Sequence, residues 1–203
     1  NKEPSTHTAA FLVPYKTYGK EHPEYFALQK DGQRLHPVPG QRFDIHLCLS
    51  NPGVRRISSE RMLDLIESQP ERTFFVITQG DGYDWCLCDD CKALDAIPGD
   101  HRTDRLLDYV NDVARTVAQK YPDKILLTAA YTDATSRPPV RLTPEPNVRI
   151  GYCPYPGRCN CQSHDLTCEK NRQSAEDIRG WLAKCPGQVY VNEYPRGYQC
   201  WHE

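Results

Sequence analysis

The sequence lacks a long apolar run and a marked excess of charge of either sign. None of its hydrophobic stretches approaches the roughly 20 residues of a membrane-spanning helix. Its 25 Lys and Arg nearly balance 27 Asp and Glu, and the net charge is −2. That balance gives no field that favours nucleic acid or an anionic membrane. The chain also lacks a Gly-x-Gly-x-x-Gly turn, a Walker loop, an H-E-x-x-H helix and a Ser/His/Asp motif, which excludes the enzyme classes that those motifs mark.

The size fits one domain. The chain has 203 residues, of which 38% are hydrophobic, and this is enough for a real core. It begins at Asn1 rather than Met, carries no signal peptide and ends at Glu203 without a closing element. We therefore expect residues 1–203 to form a single partial domain of a longer protein.

Short strand patterns alternate with helical ones along the chain. The apolar, β-branched or aromatic runs that predict strands are residues 8–13, 43–49, 73–78, 125–131, 148–153 and 188–192. The i, i+3, i+4, i+7 spacing predicts helices over residues 58–68, 103–120 and 172–184, with Ser58, Ser59 and Thr103 as capping residues. This alternation predicts parallel βα units.

The connections are uneven in length. Long loops follow the strands, at residues 79–102 and 154–171, and short ones follow the helices. Functional loops gathered on one face are typical of a (β/α)8 TIM barrel, so we expect an α/β fold of that kind, present as an incomplete fragment. A doubly wound sheet is the alternative, although no dinucleotide-binding turn supports it.

Two carboxylates follow predicted strands. Asp81 lies between two glycines directly after the run 73–78, and Glu193 follows the run 188–192 beside Tyr194. Glycoside hydrolysis commonly uses such a pair, one acid to protonate the leaving oxygen and one carboxylate as nucleophile, base or orienter. Each also has a structural interpretation, because Asp81 can stabilise its own turn and Glu193 can pair with Arg196.

Ten cysteines are many for this length. Cys86, Cys88 and Cys91 form a C-x-C-x-x-C cluster, and a second loop offers Cys159, Cys161, His164 and Cys168. The cluster can bind a structural zinc with a fourth ligand such as His164, form disulfides with the second loop, or hold free thiols. The sequence leaves these three alternatives open.

Further polar and aromatic residues stand at predicted strand ends or in the loops that follow them. The candidates for substrate binding are His7, Asn51, Gln79, Trp85, Tyr131, Asp133 and Tyr194. Asn51 can equally form a turn, and a lone histidine such as His7 is more often structural than ligand-binding.

Several motifs together resemble a known family. They are His7…Phe11-Leu12-Val13-Pro14, His22-Pro23-Glu24-Tyr25-Phe26-Ala27-Leu28, Asp31-Gly32-Gln33-Arg34, Leu47-Cys48-Leu49-Ser50-Asn51-Pro52, Asp81-Gly82…Trp85-Cys86-x-Cys88-x-x-Cys91, the loop with His164 and Cys168, and Ala175-Glu176-Asp177-Ile178-Arg179-Gly180-Trp181. Across nearly the whole chain they resemble the domain of unknown function 4838, which is itself similar to glycoside hydrolase family 163.

The resemblance implies a bacterial endo-β-N-acetylglucosaminidase that acts on complex N-glycans through a (β/α)8 barrel. It implies that Asp81 and Glu193 lie on the active-site face, in a two-carboxylate or substrate-assisted mechanism. Of the two we favour Glu193 as the acid/base, because glutamate has the longer reach, and Asp81 as the orienter or binder. No cofactor is then expected for catalysis, and a secreted, periplasmic or cell-surface location follows from the enzyme class. A non-catalytic glycan-binding barrel and a zinc-stabilised domain are the rival interpretations.

Overall fold

A single parallel sheet organises the part of the chain that the structure describes. The structure is a computed structural model that describes residues 7–37, 45–97, 99, 101–154 and 166–192. The sheet contains β1 (Phe74–Val76), β2 (Ile125–Ala130), β3 (Val148–Tyr152) and β4 (Val189–Val191), in the spatial order β1-β2-β3-β4. Every neighbouring pair is parallel. The order follows the chain without reversal, so these strands contain no switch point of the doubly wound kind.

Seven α-helices and two 3-10 turns are found among the described residues. The helices are α1 (Ala9–Leu12), α2 (Tyr15–Tyr18), α3 (Pro52–Ser68), α4 (Asp89–Leu94), α5 (Thr103–Lys120), α6 (Thr132–Thr135) and α7 (Arg172–Lys184), and the 3-10 turns are Pro23–Tyr25 and Glu169–Asn171. The mixed α/β prediction is confirmed. The four strands do not close into a barrel.

Helix α5 is the element that packs both on the sheet and on other helices. It contacts β2 and β3 on one side and α3 on another. Its apolar residues recur at helical spacing and are fully or almost fully buried, as at Val110, Val113 and Val117. The predicted bounds of α5 and α7 are confirmed, because each has a clear apolar stripe and is followed closely by proline.

The prediction of a strand over residues 8–13 is wrong. Those residues form the single helical turn of α1, and their polar groups bind the strand end of β1 instead of extending the sheet. Thr8 Oγ1 donates to Val76 O at 2.8 Å, and the Ala9 N–H donates to Thr78 O at 2.8 Å. A short apolar run does not distinguish a strand from a buried helical turn.

A strand was predicted over residues 43–49, but the described part of this segment, residues 45–49, does not join the sheet. Residues 43 and 44 lie outside the described residues. Residues 45–49 make an isolated antiparallel bridge, Phe26 with Leu47, supported by Ala27 N–H to His46 O at 3.0 Å and Cys48 N–H to Tyr25 O at 2.8 Å.

Helix α3 begins six residues earlier than the sequence pattern predicted. The Asn51 side chain caps it by accepting from the N–H groups of Gly53 and Val54, and Pro52 occupies the first turn. Ser58 and Ser59 are buried inside the helix and do not cap it. Thr103 is not a cap either, because its hydroxyl donates to Arg137 O at 2.8 Å.

None of the helices in the described ranges combines the length and the apolar composition that crossing a membrane requires.

Candidate metal centre and neighbouring cleft

Four cysteine sulfurs converge beside the carboxyl end of β1. The Sγ atoms of Cys48, Cys86, Cys88 and Cys91 all lie within 4.8 Å of one another. The Cys48–Cys88 distance is 3.6 Å, Cys48–Cys91 is 3.8 Å and Cys86–Cys88 is 3.4 Å. All four thiols are free, and three of them are buried. This group can hold a metal ion.

Three chain segments bring the thiols together. Cys48 comes from the bridged segment 45–49, and Cys86 from the loop after β1. Cys88 is the N-cap of α4, and Cys91 lies in the first turn of that helix. The extended backbone at Cys88 followed by a helical turn directs the last two cysteines of C-x-C-x-x-C to one point.

Hydrogen-bond donors surround the sulfurs. The Leu28 N–H donates to Cys86 Sγ at 3.3 Å, and Arg34 Nη1 approaches the same sulfur at 3.8 Å. Ser50 Oγ lies 3.2 Å from Cys91 Sγ. Donors of this kind stabilise thiolates and orient them as ligands.

The thiols share negative charge unequally. Hydrogen bonds from Cys86 and Cys91 hold the pKa of Cys48 far below its usual range. The hydrogen bond to Cys48 in turn raises the pKa of Cys86 to about 11 and raises that of Cys91 much further. Burial lowers the pKa of Arg34, but its hydrogen bond and charge interaction with Cys48 outweigh that effect and raise it. The negative charge is therefore centred on Cys48, where a cation can neutralise it.

A buried ion pair between α5 and the cysteine loop holds the backbone of that loop in place. Arg105, on α5, bonds both carboxylate oxygens of Asp95, with Nε–Oδ1 at 3.0 Å and Nη2–Oδ2 at 2.6 Å. Its Nη1 also donates to Cys86 O at 2.7 Å. The side chains are only 1% and 3% exposed, so this fork fixes the Cys86 backbone from the interior.

A cleft of about 680 Å³ lies next to the cysteine cluster. It is lined by Gln29, Lys30, Asp31, Tyr83, Asp84, Trp85, Leu87, Arg102, Asp133 and Ala134. Residues 83–87 follow β1 and residues 133–134 follow β2, so the cleft lies at the carboxyl edge of the parallel strands. Active sites of α/β folds occupy that edge, and the volume is in the range of ligand pockets.

The cleft wall contains a buried indole with an unused donor. Trp85 is 8% exposed, and among the described residues nothing accepts from its Nε1. His46 packs edge-on against its ring, with the centroids 5.3 Å apart. Burial lowers the pKa of His46, and its Nε2 lies 3.1 Å from Asp81 O, so the neutral ring donates to that carbonyl. A buried donor without a partner is costly, so the indole N–H is a destabilising group next to the cleft.

The structure brings several predicted binding residues to the same edge. The His7 N–H donates to Thr78 Oγ1 at 2.8 Å, and its Nδ1 lies 3.2 Å from Gln79 O. The Gln79 side chain is buried and reaches the backbone of Leu47. Asp133 lines the cleft with Trp85.

Other predicted residues are placed differently. Asp81 is exposed, and its Oδ1 accepts from the Gly82 N–H at 3.0 Å, but it does not line the cleft. The Asn51 carboxamide oxygen is used in the α3 cap. Tyr131 is the N-cap residue of α6. The positions of Glu193, Tyr194 and His164 lie outside the described residues.

Two features were missed from the sequence. Cys48 lies 38 positions before Cys86, which is too far for a spacing motif. However, the runs 43–49 and 73–78 were both predicted to be parallel strands that end at the same sheet edge. That prediction could have indicated that Cys48 lies near the other three cysteines. The Arg105–Asp95 pair had no signal, because both residues are of types that usually face solvent.

These observations define an α/β domain with a cysteine cluster and a cleft at the carboxyl edge of its parallel sheet. The chain belongs to the family described as Domain of unknown function (DUF4838), which it matches over residues 1–199. No curated protein matches it.

Proposed function

We propose that this domain is part of a glycoside hydrolase that acts on β-linked N-acetylglucosamine-containing glycans of the complex N-glycan type. The observation that carries the proposal is the cleft at the carboxyl edge of the sheet. Its wall combines the carboxylates of Asp31, Asp84 and Asp133 with the aromatic rings of Tyr83 and Trp85. Carboxylates can accept hydrogen bonds from sugar hydroxyls, and aromatic rings offer apolar faces for stacking.

The proposal includes a (β/α)8 barrel and a secreted, periplasmic or cell-surface location in bacteria, as the similarity to glycoside hydrolase family 163 implies. The parallel order β1-β2-β3-β4 supports it, because barrel strands follow one another around the sheet in chain order. The proposal assigns to the active-site face of that barrel the two carboxylates that follow β1 and β4 in the sequence, Asp81 and Glu193.

The chemistry is hydrolysis assisted by the substrate's acetamido group or by a second carboxylate. Glu193 donates a proton to the leaving glycosidic oxygen while the bond between this oxygen and the anomeric carbon breaks. In the assisted route the acetamido oxygen bonds to the same carbon. Asp81 lies outside the lining of the cleft but in the same loop after β1 as Tyr83 and Trp85, and in this scheme it orients the acetamido nitrogen. Water then attacks the anomeric carbon, gives its proton to Glu193 and releases the acetamido group. No cofactor takes part in this scheme.

Glycan release by the purified protein tests the proposal. The substrates are a complex N-glycoprotein and an aryl N-acetylglucosaminide, and the variants are Asp81→Asn and Glu193→Gln. Asp123→Asn is the matched control, because Asp123 is exposed and lies just before β2, at the opposite edge of the sheet. We expect release to fall ~100-fold or more in both site variants and to stay unchanged in the control. Full release by both site variants would contradict the assignment of the two carboxylates.

A non-catalytic glycan-binding domain is the second candidate. The cleft favours it, since the groups that would bind a sugar there, including Trp85 and Asp84, do not depend on Glu193. Glycan binding without release from any substrate would support this function over hydrolysis.

A further inference from the structure

We propose that Cys48, Cys86, Cys88 and Cys91 bind one Zn²⁺ as a closed structural site, in which Cys48 is the fourth ligand. Sequence spacing had suggested a residue of the second cysteine loop, such as His164, for that position. The proposal goes beyond the glycosidase function, because it holds whether or not the cleft hydrolyses a sugar.

The sulfur positions fit a tetrahedral ion. Zinc–thiolate bonds of ~2.3 Å place the sulfurs of a tetrahedron about 3.8 Å apart. Three of the six separations, at 3.4, 3.6 and 3.8 Å, are close to that edge length, and all six are within 4.8 Å. They are also far longer than the ~2.0 Å of a disulfide bond, so the four thiols are available as separate ligands.

The donor set favours zinc in a structural role. Four thiolates in tetrahedral array suit Zn²⁺ or iron, and a four-cysteine zinc site leaves no open position for a substrate. Cys48, Cys86 and Cys91 are at most 4% exposed. A buried, fully protein-ligated ion of this kind stabilises the fold and takes no part in hydrolysis.

The surroundings compensate the charge of such a centre. Four thiolates and Zn²⁺ together carry two negative charges, which are costly to bury without hydrogen bonds. The Leu28 N–H, the Ser50 hydroxyl and the Arg34 guanidinium lie against the sulfurs and supply three donors, one of them cationic.

The ion would hold one wall of the cleft. Cys86 lies between Trp85 and Leu87, and both of these residues line the cleft. The Leu87 N–H donates to Leu28 O at 2.9 Å, next to the N–H that bonds the Cys86 sulfur. Zinc would therefore join Cys48, the cysteine loop and the residues 28–34 into one rigid wall.

Metal analysis and X-ray absorption of the purified protein test the proposal. We expect about one zinc per chain with four sulfur neighbours at ~2.3 Å. Three sulfurs with one nitrogen at ~2.0–2.1 Å would overturn the role of Cys48. Iron in place of zinc, or four reduced thiols without any metal, would overturn the assignment of the ion. These readouts need no variant.

A matched pair of cysteine variants gives a second test. Cys48→Ser removes a proposed ligand, whereas Cys185→Ser changes a buried free thiol whose sulfur donates to Trp181 O at 3.3 Å, away from the cluster. In competition with a chelator, we expect Cys48→Ser to retain zinc at least ~10-fold more weakly than the wild type and Cys185→Ser to match it. Equal retention by both variants would contradict the proposal.

Discussion

The buried fork between Arg105 and Asp95 predicts that one substitution on α5 will destabilise the domain strongly. Arg105→Met keeps an unbranched apolar side chain but removes three hydrogen bonds, two to Asp95 and one to Cys86 O. The Asp95 carboxylate, 3% exposed, would then depend on Arg102 Nη1 at 3.6 Å. Breaking one side of a buried ion pair costs about 3–5 kcal/mol, because the remaining charge stays desolvated.

The measurement is urea-induced unfolding of the protein at fixed zinc concentration, followed by circular dichroism. We expect Arg105→Met to lower the free energy of unfolding by about 3–5 kcal/mol. Arg56→Met is the control, since Arg56 binds Glu60 at 2.9 Å in an exposed pair and its loss should change stability little. A change below about 1 kcal/mol for Arg105→Met would show that the Asp95 carboxylate is not left uncompensated when the guanidinium is removed.

The double variant separates charge from packing. If the uncompensated carboxylate causes the loss, Arg105→Met combined with Asp95→Leu should recover part of the stability that Arg105→Met alone removes. If the double variant instead loses more free energy of unfolding than the two single variants lose together, then packing, and not the buried charge, dominates.

Three further predictions concern α3 and α5. Asn51→Ala removes the cap contacts at 2.8 and 3.3 Å, and we expect it to lower the free energy of unfolding in urea by about 1 kcal/mol. An unchanged free energy of unfolding would contradict the capping role of Asn51. Gly53→Ala would place a Cβ 2.5 Å from Tyr25 Oη, so we expect about 1–3 kcal/mol of destabilisation, and wild-type stability would show that the ring moves freely. Burial raises the pKa of Tyr109 from 10.0 to about 12. As the pH rises from 10 to 12, Tyr109 therefore ionises in the unfolded chain before it does in the folded one, and the free energy of unfolding falls. We expect this fall to be smaller by roughly 2–3 kcal/mol in Tyr109→Phe, which has no hydroxyl to ionise. An equal fall in the wild type and the variant would contradict this prediction.

The elements with strong periodicity were predictable from the sequence. Helix α5 has a continuous apolar stripe, and β2 and β3 lie within one residue of the predicted runs. Local patterns failed where a longer-range contact decides the structure. The Thr8 hydroxyl caps the end of β1 and permits a helical turn where an apolar run suggested a strand.

The candidate site was predictable in part. The carboxyl edge of the sheet and three of the four cysteines follow from the order of motifs along the chain. The fourth thiol, Cys48, is brought in by an antiparallel bridge between two loop segments, which leaves no periodic signal. The cleft likewise depends on residues 29–31, and the spacing of motifs along the chain does not indicate that they lie beside the loop after β1.

The most direct test of the account is a crystal structure of the Glu193→Gln variant with a complex N-glycan. The central claim is that the cleft beside the cysteine cluster is the sugar site. It predicts a sugar ring against the side chains of Tyr83 or Trp85, with hydrogen bonds to Asp84 or Asp133. An ordered glycan bound elsewhere, or an empty cleft at a glycan concentration that saturates the wild-type protein, would contradict the claim.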